Sequence, residues 1–314
     1  MASHSREDLY SQITSRIIAD LEAGTVPWVQ PWAAAAAPLG LPHNAATGRV
    51  YSGINILLLW TAVTDREFPS QRWLTFRQAA ALGGNVRKGE HGTMVVFADR
   101  FVPEREKARA RETGDEPLRI PFLKRFTVFN VAQCEGLPPD LQEETAGSPT
   151  APRLDLILPR AQALISATGA RLRIGGNHAF YRPGDDLVVV PPPEAFFDSV
   201  NWHRTALHEL GHWTGHATRL DRDQKGAFGS ASYAREELVA EMAGAFVCAA
   251  LGIEPTVRHA DYLAAWLAVL RQDSRAIVRA ASAASRAAEF LLAFDGGEVG
   301  EVQRQREAGV SATG

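Results

Sequence analysis

The chain has 314 residues, 46% of them hydrophobic and 22% charged, with a formal net charge of −3. This is the composition of a water-soluble globular protein with enough apolar mass for a substantial core, and it excludes disordered, collagen-like and small disulfide-stapled chains. Two cysteines, Cys134 and Cys248, stand far apart; they exclude a disulfide framework or a cysteine-rich zinc site and point to a reducing cytoplasm. The longest apolar run, residues 54–63, is about half a membrane span, and the first ten residues hold no apolar signal core, so neither a membrane helix nor a secretory leader is expected. The charge is uneven: residues 1–135 carry 16 Lys and Arg against 14 Asp and Glu, whereas residues 136–314 carry 17 against 22. The first half can therefore carry a nucleic-acid surface, although its charge does not require one.

In chain order, Leu9, Ile13, Ile17, Ile18 and Leu21 recur at helical spacing and predict a helix over 9–21 that closes near Gly24. Residues 54–63 and 76–82 predict two more helices. Residues 92–98 and 122–131, rich in β-branched and aromatic side chains, predict strands. Between those strands, 104–116 alternates charge without an apolar stripe and reads as a solvated helix or loop. Residues 136–152, with four prolines among small and acidic residues, read as an exposed linker. Beyond it a helix is expected over 153–169. A hairpin follows, with strands at 171–181 and 186–190 joined by a Pro183-Gly184-Asp185 turn, and Gly175-Gly176 as a bend in the first strand. Helices are then expected near 200–214, 233–251, 258–272 and 274–293, with Gly252 and Pro255 stopping the second of these.

The sharpest chemical signal is His208-Glu209-Leu210-Gly211-His212, an HExxH pattern inside a predicted helix. Residues four apart share a helix face, so both imidazoles can reach one cation. Glu209, one step round, can take a proton from an attacking water. A catalytic zinc needs three protein ligands. The metzincin solution fails, because the position six residues after His212 is Thr218. The alternative is a carboxylate on a following helix, where Glu237 and Glu241 lie four apart on one face. The usual gluzincin order assigns Glu237 to the metal and Glu241 to the free N–H of a ligand histidine. Glu236 points away on the helical wheel, and His216, one turn past His212, is the rival third ligand. The motif alone does not say whether peptides are hydrolysed.

In the first half, aromatic and basic residues interleave: Trp28 and Trp32 around Gln30-Pro31, then Arg49, Tyr51 and Asn55, then Trp73 and Arg77, then Arg87 and Lys88 in a glycine-rich turn. Single-stranded nucleic acid is held by bases stacked on rings and by cations along the phosphates. The same tryptophans could equally be core, so the residues leave both uses open.

The segments at 31–32, 44–55, 73–92 and 128–136, and in the second half 208–220, 233–246 and 262–288, resemble the ArdC family of antirestriction proteins, whose N-terminal part is similar to that of TraC-type primases. The resemblance implies an α+β protein: a small N-terminal single-stranded-DNA-binding domain (1–138), a linker (139–152) and a zincin-like, gluzincin-type metallopeptidase domain (153–314). It implies a role in protecting incoming mobile DNA, with single-stranded DNA as partner and one zinc, or another divalent transition metal, as cofactor. An active metalloprotease that cuts a host protein and uses DNA for localisation is the competing expectation. Priming is disfavoured, since no polymerase motif accompanies the first half.

Overall fold

The computed structural model of the chain describes residues 8–29, 37–118, 120–142, 154–227, 229–256 and 262–296. It begins with helix α1 (Leu9–Glu22), capped by the Asp8 carboxylate on the Tyr10 amide and burying Ile13, Ile17 and Leu21. There follow β1 (His43–Asn44), α2 (Ile54–Asp65), β2 (Arg72–Leu74), α3 (Phe76–Ala81), β3 (Asn85–Val86), β4 (Thr93–Phe101), α4 (Glu104–Thr113), β5 (Ile120–Asn130), β6 (Cys134–Glu135) and α5 (Pro139–Gln142). The strands form a four-stranded sheet in the order β1-β2-β5-β4 and a small β3-β6 ladder. β4 and β5 make a long antiparallel ribbon, in register from Thr93 opposite Val128 to Phe101 opposite Ile120. Between them α4 buries no residue, so the charged insert is a solvated helix.

The second half runs α6 (Leu154–Ala167), β7 (Arg171–Ile174), β8 (Phe180–Arg182), β9 (Leu187–Val190), α7 (Ser199–Trp213), α8 (Ala231–Leu251), α9 (Leu263–Gln272) and α10 (Ala276–Leu292). Its sheet has the order β7-β9-β8, and the central β9 is buried throughout. The expected long first hairpin strand is in fact two strands. β7 runs parallel to β9 on one side, and β8 runs antiparallel on the other. Gly175 and Gly176, both at positive φ, end β7 and carry the chain across. The Pro183–Asp185 turn does join β8 to β9.

The two halves share one hydrophobic core. Trp28 meets Trp266 edge-on at 5.5 Å, and Trp60 meets Phe246 at 5.6 Å. The Thr14 hydroxyl donates to the Ser274 carbonyl, and the Ser285 hydroxyl accepts from the Gly53 amide, each at 2.6 Å. Residues 139–142 of the expected linker are helical: in α5 the Asp140 carbonyl accepts from Arg72, and Leu141 packs on a small cluster around Leu74 and Val131. Residues 143–152 lie outside the described residues.

What positions the second half's chemistry is the close approach of α7 and α8. A Cβ on Gly211 would sit 3.3 Å from backbone atoms of Ala240, and one on Gly244 would sit 3.5 Å from the His208 Cα. Two helices can approach this closely only where small residues face each other. Gly211→Val should overpack the contact and cost about 1–3 kcal/mol, read as a lower urea midpoint. Gly244→Ala, whose methyl meets only ordinary contact distances, should leave the midpoint unchanged or higher.

Candidate metal centre

Helix α7 is started by Asp198, whose carboxylate accepts from the Val200 amide, and its apolar flank Ala206, Leu207 and Leu210 is fully buried. The helix is thereby fixed with His208 and His212 facing α8. Their rings are 5.0 Å apart and nearly perpendicular. From α8, Glu237 places one carboxylate oxygen 3.6 Å from His208 Nε2 and the other 3.4 Å from His212 Nε2. Donor atoms of these three residues all lie within 4.8 Å of one another. Two imidazole nitrogens and a carboxylate, buried and convergent, are a donor set that fits a divalent transition ion such as zinc.

The opposite nitrogens of both rings also face carboxylates. Glu241 Oε1 is 4.0 Å from His208 Nδ1, and Glu236 Oε1 is 3.3 Å from His212 Nδ1. The position of Glu236 corrects the helical-wheel expectation that it points away. Its carboxylate reaches round α8 because Arg222 and Gln224, from the loop after α7, hold it there. Arg222 donates to both oxygens at 3.0 and 2.7 Å, and Gln224 donates to Oε1 at 3.0 Å. Arg222 also ties down the Gly211 carbonyl and the Thr214 hydroxyl. No sequence motif marks Arg222 or Gln224; they sit in what reads as a polar loop. His216 lies past the end of α7, with its Nδ1 against Thr218, so it does not share the face of His212.

Burial opposes protonation of His212, but hydrogen bonds and charge from Glu236 and Glu237 override it and raise the pKa from 6.5 to about 10. Burial would raise the Glu237 pKa, yet His208 and His212 hold it well below the ordinary carboxylate range. Burial, then hydrogen bonding with Tyr262 and to the Glu237 carboxylate, push Tyr233 far up, so its hydroxyl stays protonated beside the site. Glu209, 4% exposed, shares with these groups the lining of a cleft of about 260 Å³, closed on one side by Phe180 and Tyr181 of β8. Tyr181 is fixed by Asp186, which pairs in turn with Arg219, and the Arg219 guanidinium lies 4.0 Å over Trp213.

The nucleic-acid candidates are scattered. Trp28 and Trp73 are fully buried and have no ring face to offer a base, which corrects the expectation that they stack; they are core residues. The Asn55 amide is engaged on both sides by the Val96 backbone, at 2.8 Å each, and clamps α2 to β4 instead of facing solvent chemistry. Tyr51 is half-buried. Arg49, Arg77, Arg87 and Lys88 are exposed, and Arg87 pairs with Glu90 at 2.8 Å. Trp32 lies outside the described residues. Among the described residues no helix is long and apolar enough to cross a membrane.

Two family models match the chain: that of the N-terminal domain of anti-restriction factor ArdC over residues 7–129, and that of a zincin-like metallopeptidase over residues 159–283. The chain is 40% identical over 291 residues to the uncharacterised protein y4eC of Sinorhizobium fredii, covering 91% of this chain and 92% of that one. It is 36% identical to a DNA primase TraC of Escherichia coli, over 96% of this chain but only 28% of the primase. Two crystal structures of the antirestriction ArdC protein from plasmid R388 superpose on it. The metal-free form has a TM-score of 0.75 and 38% identity, over 92% of this chain and 98% of that one. The Mn(II)-bound form has a TM-score of 0.74 and 37% identity, over 93% and 99%.

Four outcomes are expected. His208→Ala, His212→Ala and Glu237→Ala should each lower the metal content of purified protein, whereas Glu209→Ala should leave it intact; Arg222→Ala should weaken metal affinity by about 10–100-fold through Glu236. Because the metal-free His212 keeps its proton up to about pH 10, metal must displace that proton. Affinity measured by calorimetry should therefore rise from pH 7 to 9, with proton release. The same raised pKa stabilises the metal-free fold fully below about pH 6.5 and is lost as pH rises through about 10.

Proposed function

The chain belongs to the ArdC antirestriction family, and from that membership we propose that it binds single-stranded DNA and protects the incoming DNA of a mobile element from host restriction. The observation that carries this reading is the end-to-end likeness to the antirestriction protein of plasmid R388, which spans both halves of the chain. In this reading residues 1–138 provide the DNA-binding part, 139–152 the connection and 153–314 the metallopeptidase-like part. The exposed Arg49, Arg77, Arg87 and Lys88 supply phosphate contacts. The protein acts in the cytoplasm, in keeping with its two buried cysteines, which stand far apart in the chain. The likeness to TraC covers 28% and 20% of the two primases matched, so priming forms no part of the reading.

His208, His212 and Glu237 would hold one divalent ion, taken here as zinc from their donor chemistry, with Glu241 and Glu236 orienting the two rings. Bound there, the ion supplies Lewis acidity toward water and carbonyl oxygen. A second reading, an active metalloprotease with a protein substrate, is favoured by the cleft itself. Glu209 lines it as a general base. The Tyr233 hydroxyl, hydrogen-bonded to Glu237, stands on its wall. Along its side runs β8, an edge strand of its sheet, whose outward backbone groups could pair with an extended peptide.

The two readings part in one assay. If protection works by occupying DNA, Glu209→Ala should protect incoming DNA nearly as well as wild type, because losing a general base spares binding while costing orders of magnitude in rate. Arg87→Ala combined with Lys88→Ala should weaken protection together with DNA affinity. Lost protection in Glu209→Ala, at unchanged metal content and DNA affinity, would establish the protease reading instead.

A further inference from the structure

With Trp28 and Trp73 consigned to the core, the rings that the fold leaves in solvent lie elsewhere. On the β4–β5 ribbon, Phe97 stands opposite Lys124, and Val95 stands opposite Phe126. Residues directly opposite, and residues two apart on a strand, share one face of the sheet. Val95, Phe97, Lys124 and Phe126 are therefore on one face. Toward the body of the protein this face joins the core through Val95 and Val128, each nearly fully buried. Further out, Phe97 is 58% exposed and Phe126 is 42% exposed. The Lys124 ammonium lies 5.5 Å from the Phe126 ring centroid. Two exposed rings on adjacent strands, diagonal neighbours about 7 Å apart, with a cation opposite one and two residues from the other, combine what single strands require: flat apolar faces for successive bases and a positive charge for a phosphate.

Phe97 also rims a cleft of about 330 Å³ between the start of α2, the edge strand β4 and α10; the other ribbon residues of this cleft, Val96, Ala98 and Leu123, are on the opposite face, so Arg286 on its wall lies across the ribbon edge from the two rings. One Arg286 N–H donates to the Ser282 hydroxyl at 3.2 Å, so the exposed guanidinium keeps further donors for an anion. Glu289 is the acid on the same wall that a strand must pass.

We infer that Phe97 and Phe126 form the base-stacking platform for single-stranded DNA, with Lys124 beside the rings and Arg286 across the ribbon edge carrying the phosphates. The inference rests on the proposed single-strand binding and names its surface. The occupant is a nucleic-acid strand and not an apolar protein segment, because a lysine stands beside both rings and an exposed arginine lies across the ribbon edge. It follows that the surface draws on both halves of the chain: the rings come from the first-half ribbon and Arg286 comes from α10.

The test uses the full chain and a fluorescein-labelled thirty-nucleotide oligothymidylate, read by anisotropy. Phe97→Ala and Phe126→Ala should each weaken binding about tenfold or more. Phe97→Leu should weaken it similarly, since it keeps apolar area without a ring, whereas Phe97→Tyr should retain it. Lys124→Ala with Arg286→Ala should flatten the salt dependence by roughly one to two phosphate contacts. Failure of wild type to bind the oligonucleotide would overturn both this inference and the single-strand reading beneath it. Wild-type binding that survives the double Phe97→Ala, Phe126→Ala change within twofold would overturn the platform alone, as would full retention in Phe97→Leu. A change in self-association on size-exclusion chromatography at unchanged DNA affinity would identify the face as a contact between copies and overturn the inference too.

Discussion

The architecture of the second half depends on how closely α7 and α8 can lie. Each helix carries its chemistry at a spacing of four, but neither holds a complete donor set. Gly211 and Gly244, facing Ala240 and His208 across the contact, let the two helices approach until Glu237 spans the two imidazoles. A larger side chain at Gly211 would move Glu237 away from both rings at once. The steric constraint is local, but the whole cluster answers to it.

That closeness concentrates charge. Glu209, Glu236, Glu237 and Glu241 are all less than 10% exposed and belong to one neighbourhood. Buried carboxylates repel one another and are costly unless paired. The structure meets this with Arg222, which holds Glu236 by two hydrogen bonds, and with a His212 whose proton is retained well above its ordinary range. A bound divalent ion would take over that neutralising role, which links the stability of the cluster to its occupancy. The loop bearing Arg222 and Gln224 is thus part of the site, although its residues touch neither Nε2 nitrogen.

The shared core has its own consequence. The two family matches are separate stretches of the chain, 7–129 and 159–283, yet α1 and the Trp28 segment pack on α9, and α2 lies against α10 and Phe246. Cutting between the halves would strip apolar surface from both. A DNA strand on the first half and a peptide in the second-half cleft would therefore address one continuous body.

Sequence periodicity was enough to determine most of the helices of both halves, the solvation of the charged insert at α4 and the shared face of His208 and His212, all of which follow from spacing and composition acting within one segment; the short α5 and the strands β1, β2, β3 and β6 carry no such pattern. What only the tertiary structure decided lies between segments. Glu236 turns inward because a loop arginine pulls it round its helix, which no single-helix wheel can register. His216 drops out because α7 stops at Trp213. Strand β7 separates from β8 at two glycines and pairs in parallel across β9, a choice made by sheet packing. Trp28 and Trp73 are buried while Phe97 and Phe126 are exposed, since whether a ring meets water is set by what packs over it and not by the residues beside it in the chain.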